Sequence, residues 1–170
     1  MTTHFSTIEV RNAVGLLASR SLIRLITEID DNGAIPPRRL TGTFPDLSSH
    51  QLRRATEAAC AYALVRTAPG SSLELTDSGA DLADLYDAAA RWARRHAYPA
   101  PVCKFSSRIR HVLDLLAPSL ADKNSDIGPW PSGARASSIE ADLARPRALL
   151  IEWLAGNPQV TRVAYPDLVA

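Results

Sequence analysis

The chain has 170 residues, of which 46% are hydrophobic and 22% charged, and its formal net charge is +1. That length supports one good core, or a small domain with a substantial appendage, and the ordinary balance excludes an intrinsically disordered or fibrous chain. The near-zero charge excludes a uniformly basic nucleic-acid binder, so any such binding must rest on positive charge concentrated locally.

Two cysteines, Cys60 and Cys103, lie far apart and form no CxxC pair. This argues against a disulfide scaffold and a zinc site, and fits a reducing compartment. Met1 to Val10 lacks the basic-then-apolar pattern of a signal peptide. No apolar run approaches the roughly 18 residues of a membrane helix. The expected location is cytoplasmic, with no membrane partner.

Ile8, Val10, Val14, Leu16 and Leu17 predict a first helix over Ile8 to Ser19. A second, with Ser21 as its cap, carries Leu22, Ile23, Leu25, Ile26 and Ile29 on one face and ends at Asn32-Gly33. Pro36-Pro37 opens a short helix through Arg38, Arg39 and Leu40, because proline's missing N–H costs nothing in a first turn. Thr41-Gly42-Thr43 then turns the chain.

The sharpest local signal follows. Ser48 and Gln51 match a capping box, and Leu47 and Leu52 occupy the positions of a hydrophobic staple. Leu52, Ala55, Thr56, Ala59 and Ala63 would face inward, with His50, Arg53, Arg54 and Glu57 facing solvent. Tyr62 to Thr67 and Leu73 to Thr76 read as strands flanking the turn-rich Ala68-Pro69-Gly70-Ser71-Ser72, hence a hairpin. Thr76 or Asp77 caps a long helix to about His96, burying Leu82, Leu85, Tyr86, Ala89 and Trp92. The aspartates Asp77, Asp81, Asp84 and Asp87 crowd its early turns and Arg91, Arg94 and Arg95 its end, which complements the helix dipole.

Pro99 and Pro101 break the chain. A helix over Ser106 to Ala117 turns Ile109, Val112, Leu113 and Leu116 inward, and Pro118 to Arg135 reads as a loop. Ser137 and Glu140 predict a cap for a helix to Ala155, with Pro146 kinking or restarting it. Gly156-Asn157-Pro158 ends it. The fold class is therefore mainly α with a small β-hairpin, divided into 1-98 and a helical extension 99-170 that packs on it.

The order helix, helix, short helix, capped helix, hairpin, helix is that of a winged helix-turn-helix, and the residues resemble those of the HxlR and MarR-type bacterial repressors. Leu47 to Ala55 is similar to their Ile-Ser-x-x-x-Leu-x-x-x-Leu recognition helix. Tyr62-Ala63-Leu64-Val65-Arg66 resembles their Gly-Leu-Val-x-Arg, and Leu73-Glu74-Leu75-Thr76-Asp77-Ser78-Gly79 their Tyr-x-Leu-Thr-x-x-Gly. The resemblance covers about half the chain. Alanine stands at Ala63 where those families have glycine, the hairpin tip holds no arginine or lysine, and the N-terminal cysteine common in HxlR proteins is missing.

The resemblance implies a DNA-binding transcriptional regulator whose capped helix enters the major groove. Carried over by position, His50, Arg53 and Arg54 read bases, with Ser49 and Gln51 beside them. Arg38, Arg39 and Arg66 contact phosphates. Between Pro36 and Arg66 five arginines oppose only Asp46 and Glu57, so the basic bias is local. A homodimer on double-stranded DNA is expected, since one such module makes few contacts.

A small-molecule effector is a further option, for which the aromatic set Trp92, Tyr98, Phe105, Trp130 and Trp153 could wall a pocket; the same residues serve equally as core or interface. No nucleophile elbow, phosphate-binding glycine loop or HExxH motif occurs, so no catalytic residue, metal or cofactor is expected and the chain reads as a non-enzyme. The alternative is a winged-helix protein-interaction module without DNA binding, which the uncharged hairpin tip favours.

Overall fold

The computed structural model describes residues 5–121 and 134–162, with side chains from Ser138 onward in the second span. The chain is mainly α-helical with one small antiparallel hairpin. Helix α1 (Thr7–Leu17) starts at a capping box: Glu9 N–H donates to the Ser6 hydroxyl, and the Glu9 carboxylate accepts from Ser6 N–H. Helix α2 (Arg20–Asn32) is capped by Ser19, which accepts from Leu22 N–H at 3.5 Å. The expected cap, Ser21, is instead buried in the first turn, because the helix starts earlier than its apolar stripe. Gly33, at φ 81°, ends it as anticipated.

A 3₁₀ turn (Pro37–Arg39) runs directly into α3 (Leu40–Thr43), so Thr41 to Thr43 are helical where the sequence suggests a turn. The capping box of α4 (Ser49–Ala61) forms as expected, with Ser48 and Gln51 bonded reciprocally at 2.9 and 3.2 Å. Leu52, Ala55, Ala58 and Ala59 are buried. Ala63 is not on that stripe. It lies beyond the helix, exposed at φ 55°. Leu64 N–H donates back to Ala59 and Ala63 N–H to Cys60, a Schellman closure with Ala63 at its left-handed position.

Strands β1 (Val65–Thr67) and β2 (Leu73–Leu75) pair in register Val65 to Leu75, Arg66 to Glu74 and Thr67 to Leu73. Ile35, just before the prolines, adds a single bridge to Leu73 through bonds of 2.9 Å in both directions. Thr76 caps α5 (Asp77–Arg95), accepting from Gly79 N–H while its hydroxyl donates to the Ala63 carbonyl at 2.5 Å.

Helix α6 (Phe105–Ala121) continues through Pro118, four residues past the expected end. Helix α7 (Ala134–Gly156) runs through Pro146 without restarting, and it begins before Ser137, which therefore stands inside the helix and not at the expected cap position. Asn157 separates it from α8 (Pro158–Arg162).

Helices α6 and α7 pack on α5, and α6 and α8 on α1. Their buried Ile109, Val112, Leu113, Leu150 and Leu154 belong to the same apolar cluster as Leu17, Ile26, Phe44, Leu82 and Tyr86. Polar bonds stitch the far end of the chain to this core. The Trp153 indole donates to the Ser78 carbonyl at 2.9 Å, the Ser78 hydroxyl to Asn157 Oδ1 at 2.6 Å, and Asn157 Nδ2 to the Trp153 carbonyl at 2.8 Å. Such satisfied buried groups fix one arrangement of α5, α7 and α8. The fully buried Tyr86 donates its hydroxyl to the Leu17 carbonyl at 2.7 Å, and burial pushes its pKa far above the ordinary phenol value. Among the described residues, no helix is long and apolar enough to cross a membrane.

Candidate nucleic-acid interface

Burying Leu52, Ala55, Ala58 and Ala59 forces the other side of α4 outward. Ser49, His50, Gln51 and Arg53 are exposed at the first turns, and Arg54 is half-buried beside them. The box that starts the helix uses the Gln51 side chain on the Ser48 N–H, so Gln51 is already committed to a structural bond.

The turn before α4 is clamped to α2. Asp46 accepts from Arg20 at 2.9 Å and from Arg24 at 3.3 Å, while the Arg24 guanidinium stands 5.8 Å above the ring of the fully buried Phe44. Burial alone would raise the Asp46 carboxyl, but Arg24, the backbone and Arg20 outweigh it and hold it below the usual aspartate value. Sequence reasoning misses this clamp. The available signal was the i, i+4 spacing of Arg20 and Arg24, which puts both on one side of α2.

The expected DNA-contacting residues fall into two groups. His50, Gln51 and Arg54 face a groove of about 830 Å³ that also meets Ser19 to Ser21 at the start of α2. Arg38 and Arg39, both exposed, border a depression with Glu28 and Asn32 at the other end of that helix. Along α2 the nearest residues bordering the two, Ser21 and Glu28, are about 10 Å apart. That distance suits one group at base edges and the other at a flanking backbone, the major groove being about 12 Å wide.

Charge is less concentrated than the sequence count suggests. Arg53 lies 3.8 Å from Glu57, a pair exposed at both ends. Arg66 bonds Glu74 at 2.5 Å directly across the hairpin, as the strand register requires. Asp46, by contrast, is neutralised from outside the segment by Arg20 and Arg24.

The aromatic set is not gathered at one place. Trp92 is buried, its ring 5.6 Å from Tyr98 and 4.9 Å from His96, and its indole donates to the Ile139 carbonyl at 3.3 Å. Trp153 is buried at the Ser78 end of α5, about 20 Å along the helix from Trp92. Phe105 is 40% exposed. Trp130 lies outside the described residues. No group of three or more His, Cys, Asp or Glu among the described residues could hold a metal ion.

Compared with known proteins, the chain matches no family model, no curated protein and no solved structure.

Proposed function

We propose that this chain is a sequence-specific, DNA-binding transcriptional regulator of winged helix-turn-helix type, acting in the cytoplasm as a homodimer. One observation carries the reading. A doubly capped helix, clamped at its entry by Arg20, Arg24 and Asp46, presents Ser49, His50 and Arg53 to solvent from its first two turns. That is the part of a recognition helix that meets base edges. Exposed Arg38 and Arg39, beyond the other end of α2, would supply contacts to a flanking phosphate.

Arg53→Ala with Arg54→Ala tests the reading, against random duplexes. A lost bidentate contact to guanine should weaken binding to the selected site by about 1–3 kcal/mol and relax one base position. Arg38→Ala should weaken all duplexes alike and flatten the salt slope by about one unit. A double variant with the parent's affinity and preference removes α4 as the reader.

The dimer follows from the few contacts one module makes. Trp92 does not serve it, being covered by the chain's own α7. Sedimentation should give twice the 18.4 kDa chain mass, and a monomer at micromolar concentration refutes it.

A second reading, a protein-interaction module, is favoured by the hairpin: Glu74 neutralises Arg66, and the tip from Ala68 to Ser72 carries no charge. Duplex binding without a steep salt dependence would move this reading ahead.

A further inference from the structure

The groove of about 830 Å³ at the start of α4 is lined along its length by two helices. Val10, Val14, Gly15 and Ala18 come from one face of α1, and Ala117 and Pro118 from α6. The α1 lining runs from Thr7 to Ala18, about 16 Å. The floor is aliphatic and small-residued, a Cβ on Gly15 would meet only open space, and the volume lies in the range of small-molecule sites, about 300–1,000 Å³.

Its rim is cationic. Among the described residues, four arginines, Arg11, Arg20, Arg54 and Arg110, face the groove against one carboxylate, Asp114. Arg20 is held by Asp46, whereas Arg11 and Arg110 are exposed and make no ion pair among the described residues. An apolar trough with surplus positive charge at its edge complements an elongated apolar body carrying a single negative charge.

We infer that this groove binds a medium-chain aliphatic carboxylate, its chain along α1 and α6 and its carboxylate between Arg11 and Arg110. The trough ends on His50, Gln51 and Arg54, so an occupied groove competes with DNA for the start of α4. The competition rests on the DNA reading given above; the binding does not.

Calorimetry with decanoate on the full chain tests the binding. One site is expected, weakened at least about tenfold by Arg11→Gln with Arg110→Gln, and for the neutral decanamide. Gly15→Phe should abolish it, and because phenylalanine replaces glycine within a helix at an open position, the fold survives. No heat at millimolar decanoate overturns the inference. So does binding that persists in both variants, or decanamide binding as tightly. Anisotropy of a labelled mixed-sequence duplex, with and without saturating decanoate, tests the competition. Displacement is expected. Decanoate and duplex bound together overturn the regulatory half. A protein that binds decanoate but no duplex refutes the DNA reading and leaves the binding in place.

Discussion

Gly79, in the first turn of α5, lies against the carbonyl of Leu64, so closely that a Cβ there would stand 2.0 Å from the oxygen. The Leu64 carbonyl also accepts from Thr76 N–H at 3.0 Å, and the Thr76 hydroxyl reaches Ala63. Glycine is therefore required by packing between the end of α4 and the start of α5. Gly79→Ala should destabilise by at least about 1–3 kcal/mol, since backbone on both sides must move. Urea unfolding reads this directly, and an unchanged midpoint would mean that the junction yields freely.

The neighbouring Ala63 makes the opposite prediction. An L-residue in left-handed backbone costs about 1–2 kcal/mol, partly offset in glycine by its greater freedom when unfolded. Ala63→Gly should stabilise the fold by about half to one kcal/mol. Ala97, at φ 51°, closes α5 in the same way, through Tyr98 N–H to Ala93 and Ala97 N–H to Arg94. Ala97→Gly should do likewise, and the two effects should add, since the sites share no partner. A fall in melting temperature for both variants would contradict this account.

Asp46 gives a pH dependence. Its carboxyl is held low in the folded chain by Arg24 and Arg20, so the ionised form is favoured over the unfolded state. The stabilisation is complete above the ordinary aspartate value, about 3.9, and is lost as pH falls through the lower folded value. The side chain is 36% exposed, so screening limits the effect to about 1 kcal/mol or less. Asp46→Asn should lower stability at neutral pH and match the parent in strong acid. A constant gap at every pH would show that packing, not charge, is lost.

The hairpin pair yields a gain-of-function test. Glu74→Gln removes the carboxylate that Arg66 bonds across the strands. If the hairpin lies along a phosphate backbone, duplex affinity should rise and the salt slope steepen by about one unit. Unaltered binding and slope would take Arg66 out of the interface.

Local chemistry made much of this fold legible. The Ser48–Gln51 box, the Thr76 cap, the Gly33 terminus and the buried face of α5 all follow from short-range rules. The Ser6–Glu9 box obeys the same pattern and could have been read. What escaped depends on residues distant in the chain. Ile35 bridging Leu73 and the Asp46 clamp need a tertiary partner to exist. Proline misled at Pro118, which sits inside a helix held in place by α1 and α5, where packing outweighs a missing backbone bond. At the candidate interface, residue types located Arg53 of α4, Arg38 and Arg39 of the short helix and Arg66 of the hairpin as exposed, but counting charges could not show that Glu57 and Glu74 stand against Arg53 and Arg66.

Asn157 holds Ser78 and Trp153 together, and Gln159 donates to both Asn157 and the Tyr62 carbonyl. The last described turn of the chain is thereby a keystone for the junction where α4 gives way to the hairpin and α5. A nick or truncation at Gly156 would not release a dispensable tail. It would leave the Ser78 hydroxyl and the Trp153 carbonyl without their Asn157 partners, and amides near Leu64, some ninety residues upstream, would begin to exchange with solvent. Damage at one end of the polypeptide would thus be felt beside the helix proposed to read DNA.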